Sequence, residues 1–115
     1  MKFVFMNDKQ YSEHIFHHYG ELLKEIESIG DDLETFKNSE LYRKAIMFDL
    51  LQICELFGGL SEKTLSCFKK DDVRGMKDIR NYIAHGYIQL KDQSIWNTIH
   101  SELPYVISIL KELFQ

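Results

Sequence analysis

Between Leu41 and Phe57 almost every helical face of the chain is apolar: Leu41, Tyr42, Ala45, Ile46, Phe48, Leu50, Leu51, Ile53 and Leu56 leave one polar stripe, Asp49, Gln52 and Glu55. A helix that is apolar all round must be buried all round. A chain of 115 residues builds one core and no separate second module. Complete burial inside one subunit is therefore hard, and part of this helix is expected to face a partner. The polar stripe either flanks a functional site or sees solvent.

Apolar residues three and four apart recur elsewhere. Tyr11, Ile15, Tyr19, Leu22, Ile26 and Ile29 predict a first long helix, capped by Asn7 or Asp8 and closed by Gly30-Asp31-Asp32. Leu33 to Lys37 reads as a short extra turn, Asn38 or Ser39 caps the second long helix, and Gly58-Gly59 stops it. Ser61 caps a short helix, Glu62 to Phe68; Lys69-Lys70-Asp71-Asp72 reads as a loop, and Val73 leads into the next helix. Tyr87-Ile88-Gln89-Leu90 alternates like a strand, but nothing else in the chain offers a strand to pair with, so it reads as extended loop. Asp92 or Ser94 caps the final helix, in which Pro104 either kinks the helix or begins a new one at its first position. The expected fold is all-α: an antiparallel four- to five-helix bundle, one domain over residues 1–115, and a symmetric dimer. A single proline and six glycines suit long uninterrupted helices.

A content of 44% hydrophobic and 28% charged residues is that of a globular domain and leaves little room for disorder. The apolar lead Met1 to Met6 is too short for a signal peptide, and no run approaches the roughly 20 apolar residues of a membrane span. A cytoplasmic, reduced protein with no membrane partner is expected. Cys54 and Cys67, both within apolar helical pattern, are expected as buried free thiols. His14 and His18 have a spacing that can hold a metal, but no Cys or acidic partner stands at a matching motif position, so these and His17 read as solvent-facing and no metal is expected. Trp96 reads as a core or interface anchor.

Residues able to do chemistry on a phosphate are packed together only in Arg80-Asn81-Tyr82-Ile83-Ala84-His85-Gly86-Tyr87. Arginine is a permanent planar cation that grips two phosphate oxygens, and histidine carries a proton either way near neutral pH. The segment reads as the end of a helix closed by Gly86 in the left-handed cap conformation. His85 then sits in the last turn, beside carbonyls carrying roughly half a negative charge, a setting that suits a proton-donating imidazolium. Asn81 shares its face. Arg80 lies five residues before His85, about 140° round the helix, so either its side chain bends back or a second copy of the chain completes the site.

These residues resemble the motif of the HEPN superfamily in its HepT branch, in which Arg, four residues, His, one residue, Tyr is characteristic. The resemblance extends from Tyr42-Arg43-Lys44-Ala45-Ile46 through Leu60-Ser61 and Asp78-Ile79-Arg80-Asn81 to Ser94-Ile95-Trp96 and Leu103-Pro104. Near the end of the second long helix the family usually has Gly-Glu, where this chain has Cys54-Glu55. The resemblance implies a small all-helical ribonuclease toxin of a bacterial toxin–antitoxin pair, with its motif at a two-fold homodimer interface. It also implies a nucleotidyltransferase antitoxin as partner, which silences the toxin by attaching AMP to the motif tyrosine, Tyr87.

The residue types support the same chemistry independently. RNA supplies its own nucleophile, the 2′-hydroxyl, so cleavage needs only proton transfer and charge stabilisation. On that reading Arg80 stabilises the phosphorane, His85 transfers protons, Asn81 orients a phosphate oxygen or the imidazole, and no cofactor is needed. A net charge of −4 argues against a general nucleic-acid coat, yet Ser61 to Lys91 holds seven basic residues against four acidic. That zone either grips a few phosphates or is an ordinary solvated face. The alternative function is a non-catalytic partner subunit of a nucleotidyltransferase, in which Arg80 and His85 merely hold helices together. A nucleotide-binding regulatory domain would need a glycine-rich phosphate loop, which is missing.

Overall fold

Asn7 opens the first helix by a reciprocal cap: its side chain accepts from the Gln10 N–H, and its own N–H donates to Gln10 Oε1, both at 2.9 Å. The computed structural model describes residues 6–85 and 92–115. Helix α1 (Asp8–Ser28) follows this cap. Asp8, the other cap candidate, instead accepts from the Ser61 N–H at 2.9 Å and the Thr64 hydroxyl at 2.6 Å, tying α1 to α4 (Glu62–Leu65). α1 ends in a left-handed turn at Gly30 and Asp31, with φ of 67° and 52°. Asp32 then caps α2 (Leu33–Asn38) by accepting from the Thr35 N–H at 3.0 Å.

Ser39, not Asn38, caps α3 (Glu40–Gly58). Helix α3 is the centre of the fold, packing on α1, on α2 and on α5 (Lys70–His85). Its Ile46, Leu50 and Ile53 are completely inaccessible, each stabilising the fold by roughly 1.5–3 kcal/mol through burial. A Cβ at Gly59, just past its end, would stand 2.8 Å from the Tyr11 ring, so any other residue there displaces that ring. The all-round burial expected of α3 is not met inside one subunit. Leu41 is 75% and Phe48 56% exposed, while Asp49 of the polar stripe is buried.

Three local expectations are corrected. The helix expected over Glu62 to Phe68 stops at Leu65. Lys70, Asp71 and Asp72, read as loop, form the first turn of α5, where the acidic pair complements the positive helix end and the Lys69 carbonyl accepts from the Asp72 N–H. The final apolar run is two helices, α6 (Asp92–His100) and α7 (Glu102–Phe114), broken at Ser101. Pro104 is the third residue of α7 rather than the first, still within the turn whose N–H groups need no intrahelical partner. Asp92 is itself helical and does not cap.

Phe36 of α2 packs on Trp96 of α6 with ring centroids 5.1 Å apart, so Trp96 is a core anchor. Cys54 is buried, and burial pushes its thiol up to about 12; Cys67, against expectation, is exposed and lies beyond the end of α4. The result is the expected all-α bundle, with no strand among the described residues. Among them, no helix is long and apolar enough to cross a membrane.

Candidate active site

Helix α5 carries Arg80, Asn81 and His85 along its C-terminal half, and α3 supplies their neighbour across the helix packing, Glu55. The apolar side of α5, Met76 and Ile79, is buried against the core, which turns Lys77, Asn81 and His85 outward. Arg80 stands at the margin between the two sides. Its side chain bends back along the helix: Nη1 lies 3.3 Å from His85 Nε2 and donates to Asn81 Oδ1 at 3.2 Å, while Nε donates to Glu55 Oε1 at 2.7 Å. The first of the two routes open to Arg80 is thus taken within one subunit.

This arrangement has chemical consequences. An arginine N–H can only donate, so in a hydrogen bond between Arg80 Nη1 and His85 Nε2 the ring nitrogen is the acceptor. Glu55, Asn81 and His85 engage Nε and Nη1 of the guanidinium, and both N–H groups of Nη2 have no partner among the described residues. A fixed guanidinium with an unused pair of donors is suited to a phosphate oxygen.

Glu55 is the site residue the sequence located only as one member of a stripe. The structure divides that stripe. Glu55 flanks the motif, whereas Asp49 accepts from His18 Nδ1 at 2.8 Å between α1 and α3. His18 is accordingly half-buried, not solvent-facing as expected. Glu25 hydrogen-bonds the same Asp49 carboxyl; burial and that acidic neighbour push it up to about 8, so Glu25 carries the proton the two carboxyls share.

A second arginine contributes at one remove. Arg43 of α3 holds Asp92, the first residue of α6, in a two-pronged ion pair at 2.7 and 3.2 Å, and Tyr82 interacts with the same guanidinium. Arg80–Glu55 and Arg43–Asp92 thus tie the chain to α3 on either side of residues 86–91. Gly86, the expected helix cap, Tyr87, the expected modification site, and the extended reading of Tyr87 to Leu90 all lie outside the described residues.

Residues 17–113 match the family model described as HepT-like, ribonuclease HepT-like. The chain belongs to the HepT-like ribonuclease family. The match spans α5 and its motif together with most of α1, all of α2, α3, α4 and α6, and nearly all of α7. No solved structure matches this HepT-like chain. Of the residues singled out from the sequence, Asn81 and His85 both meet Arg80 on one helix, and Glu55 of α3 holds the arginine from across the packing.

Proposed function

We propose that this HepT-like chain is a metal-independent endoribonuclease toxin of a bacterial toxin–antitoxin pair, acting in the cytoplasm as a homodimer. The observation that carries this reading is Arg80, braced by Glu55 and Asn81, standing 3.3 Å from His85 with its Nη2 donors unused. A histidine base takes the proton of the RNA 2′-hydroxyl. The 2′-oxygen bonds to phosphorus, the bond to the 5′-oxygen breaks, and a histidine acid protonates that leaving oxygen. The products are a 2′,3′-cyclic phosphate and a 5′-hydroxyl. Arg80 stabilises the charge on the phosphorane, and Asn81 steadies the guanidinium or a phosphate oxygen.

One motif histidine per chain leaves one of the two proton-transfer roles open, and a second copy of His85 across a two-fold axis fills it. Leu41, Ala45, Phe48, Gln52 and Glu55 share one side of α3 by helical spacing. The exposed apolar residues Leu41 and Phe48 therefore continue toward the acid that holds Arg80. A dimer through this side places two motifs near one another and supplies the burial that α3 lacks. Silencing follows from AMP attached to Tyr87 by a nucleotidyltransferase antitoxin, since each added phosphodiester brings a negative charge that competes for Arg80.

The test is cleavage of RNA by the purified protein in EDTA. Arg80→Ala and His85→Ala are each expected to slow it by about a hundredfold or more with helicity intact; unchanged cleavage by the His85→Ala protein overturns the mechanism. Incubation with the antitoxin and ATP is expected to add AMP mass to Tyr87 and to abolish cleavage, and Tyr87→Phe to stay active and unmodified. The engagement of Arg80 by Glu55 also favours a second reading, a partner subunit in which these residues only join helices. That reading expects no cleavage and no effect of the protein on bacterial growth.

A further inference from the structure

The outward ridge of α5 continues beyond the motif toward the start of the helix. Lys70, Arg74, Lys77, Asn81 and His85 follow one another at intervals of three and four residues, so they form a single line on the side opposite the buried Met76 and Ile79. Lys70, Arg74, Lys77 and His85 are exposed. Lys70 and Lys77 have no ion-pair partner among the described residues, and Arg74 stands 4.0 Å from Asp71 with side chains 72% and 92% exposed, a pair too solvated to hold. The line rises about 22 Å from Lys70 to His85 in steps of about 4.5–6 Å. Three cations in such steps match successive phosphates of a single strand, not one isolated anion.

The two flanks of the ridge differ. On one, Asp71, Asp72 and Asp78 line a pocket with Glu102 of α7, an acidic wall that repels a polyanion. On the other stand Arg80 and, across from it, α3. A strand lying along the three cations is thereby turned toward the motif. Because the apolar side of α5 is committed to the core, no apolar face accompanies the cations into a lipid surface, so the pattern fits a nucleic-acid backbone rather than a membrane.

We infer that Lys70, Arg74 and Lys77 form a track for the sugar–phosphate backbone of single-stranded RNA, leading the strand to Asn81 and His85. This rests on the ribonuclease reading for its substrate, but its test does not depend on cleavage. A fluorescent 2′-O-methyl RNA 12-mer, which lacks the nucleophile, is titrated by anisotropy against the wild type and the Lys70→Gln/Arg74→Gln/Lys77→Gln protein over a range of salt concentrations. The triple variant is expected to bind at least tenfold more weakly at low salt, and its salt slope to be smaller by about 2, near 0.7 for each lost phosphate contact. Lys9→Gln/Lys24→Gln/Lys111→Gln, which removes the same charge from exposed positions on α1 and α7, is expected to leave binding unchanged.

Equal affinity and slope for the ridge variant and wild type overturn the track, as does equal weakening by the control variant. Equal affinity of the wild type for the corresponding duplex overturns the single-strand assignment. Binding that depends on the ridge in a protein that cuts no RNA supports the track and sinks the catalytic reading alone.

Discussion

Glu55 and Arg80, on different helices and 25 residues apart, are joined at 2.7 Å, and this bond takes up the Nε donor of the guanidinium. Both side chains are more than a third exposed, 41% and 36%. The pair therefore adds little to stability, about 0–1 kcal/mol, and its value is geometric. Glu55→Ala is expected to leave the melting temperature nearly unchanged while lowering kcat about tenfold to a hundredfold, as misplaced reacting groups do. Glu55→Gln, which keeps one acceptor for Arg80 Nε, is expected to fall between. Full activity in the alanine protein shows that Arg80 needs no brace.

Phe48 tests the dimer. At 56% exposure it adds little to the fold of one subunit, so Phe48→Glu is expected to remain folded and helical. The wild type is expected to sediment as a dimer at micromolar concentration and Phe48→Glu as a monomer with cleavage reduced by about a hundredfold, the loss of one acid–base group. A stable wild-type monomer that cuts RNA at full rate overturns the composite site.

The buried Asp49 predicts a pH dependence. Glu25, held protonated by burial and by its bond to Asp49, has its value raised from 4.5 to about 8. The native state therefore binds this proton more tightly than the unfolded chain, and stability is lost as pH rises from 4.5 through about 8. Glu25→Gln supplies a donor to Asp49 at every pH. It is expected to remove this part of the decline and to raise the melting temperature at pH 8 by roughly 2–5 °C. His100 acts in the same direction near neutrality. Burial lowers it, but bonds to the Trp96 carbonyl and Asp31, with the Asp31 charge, outweigh burial and raise it; its share of the decline persists in the variant. Parallel stability–pH curves for wild type and Glu25→Gln contradict the shared proton.

Helix ends were legible where capping is local. Asn7, Ser39 and Ser61, each named as a cap candidate, accept from an N–H three residues ahead, and Gly30 adopts the positive φ that its type favours. Expectations went astray where a local pattern competed with packing. The cluster Lys69 to Asp72 has the composition of a loop, yet its acidic pair suits the first turn of a helix carried on Met76 and Ile79. The apolar run from Ile95 to Phe114 looks continuous because the spacing on either side of Ser101 is compatible, although the backbone turns there.

The sequence by itself determined the all-α class, most of the helices and the Arg80–Asn81–His85 spacing, because caps, apolar spacing and that interval act within a few residues along one helix. It could not say which acid of the α3 stripe meets which partner. Asp49 went to His18, 31 residues away, and Glu55 to Arg80, 25 away, while Arg43 reached Asp92 across 49. Those pairings depend on how α1, α5 and α6 are turned and set against α3. That geometry is decided by burying Ile46, Leu50 and Ile53 with the rest of the core, a cooperative fit to which each polar residue then conforms.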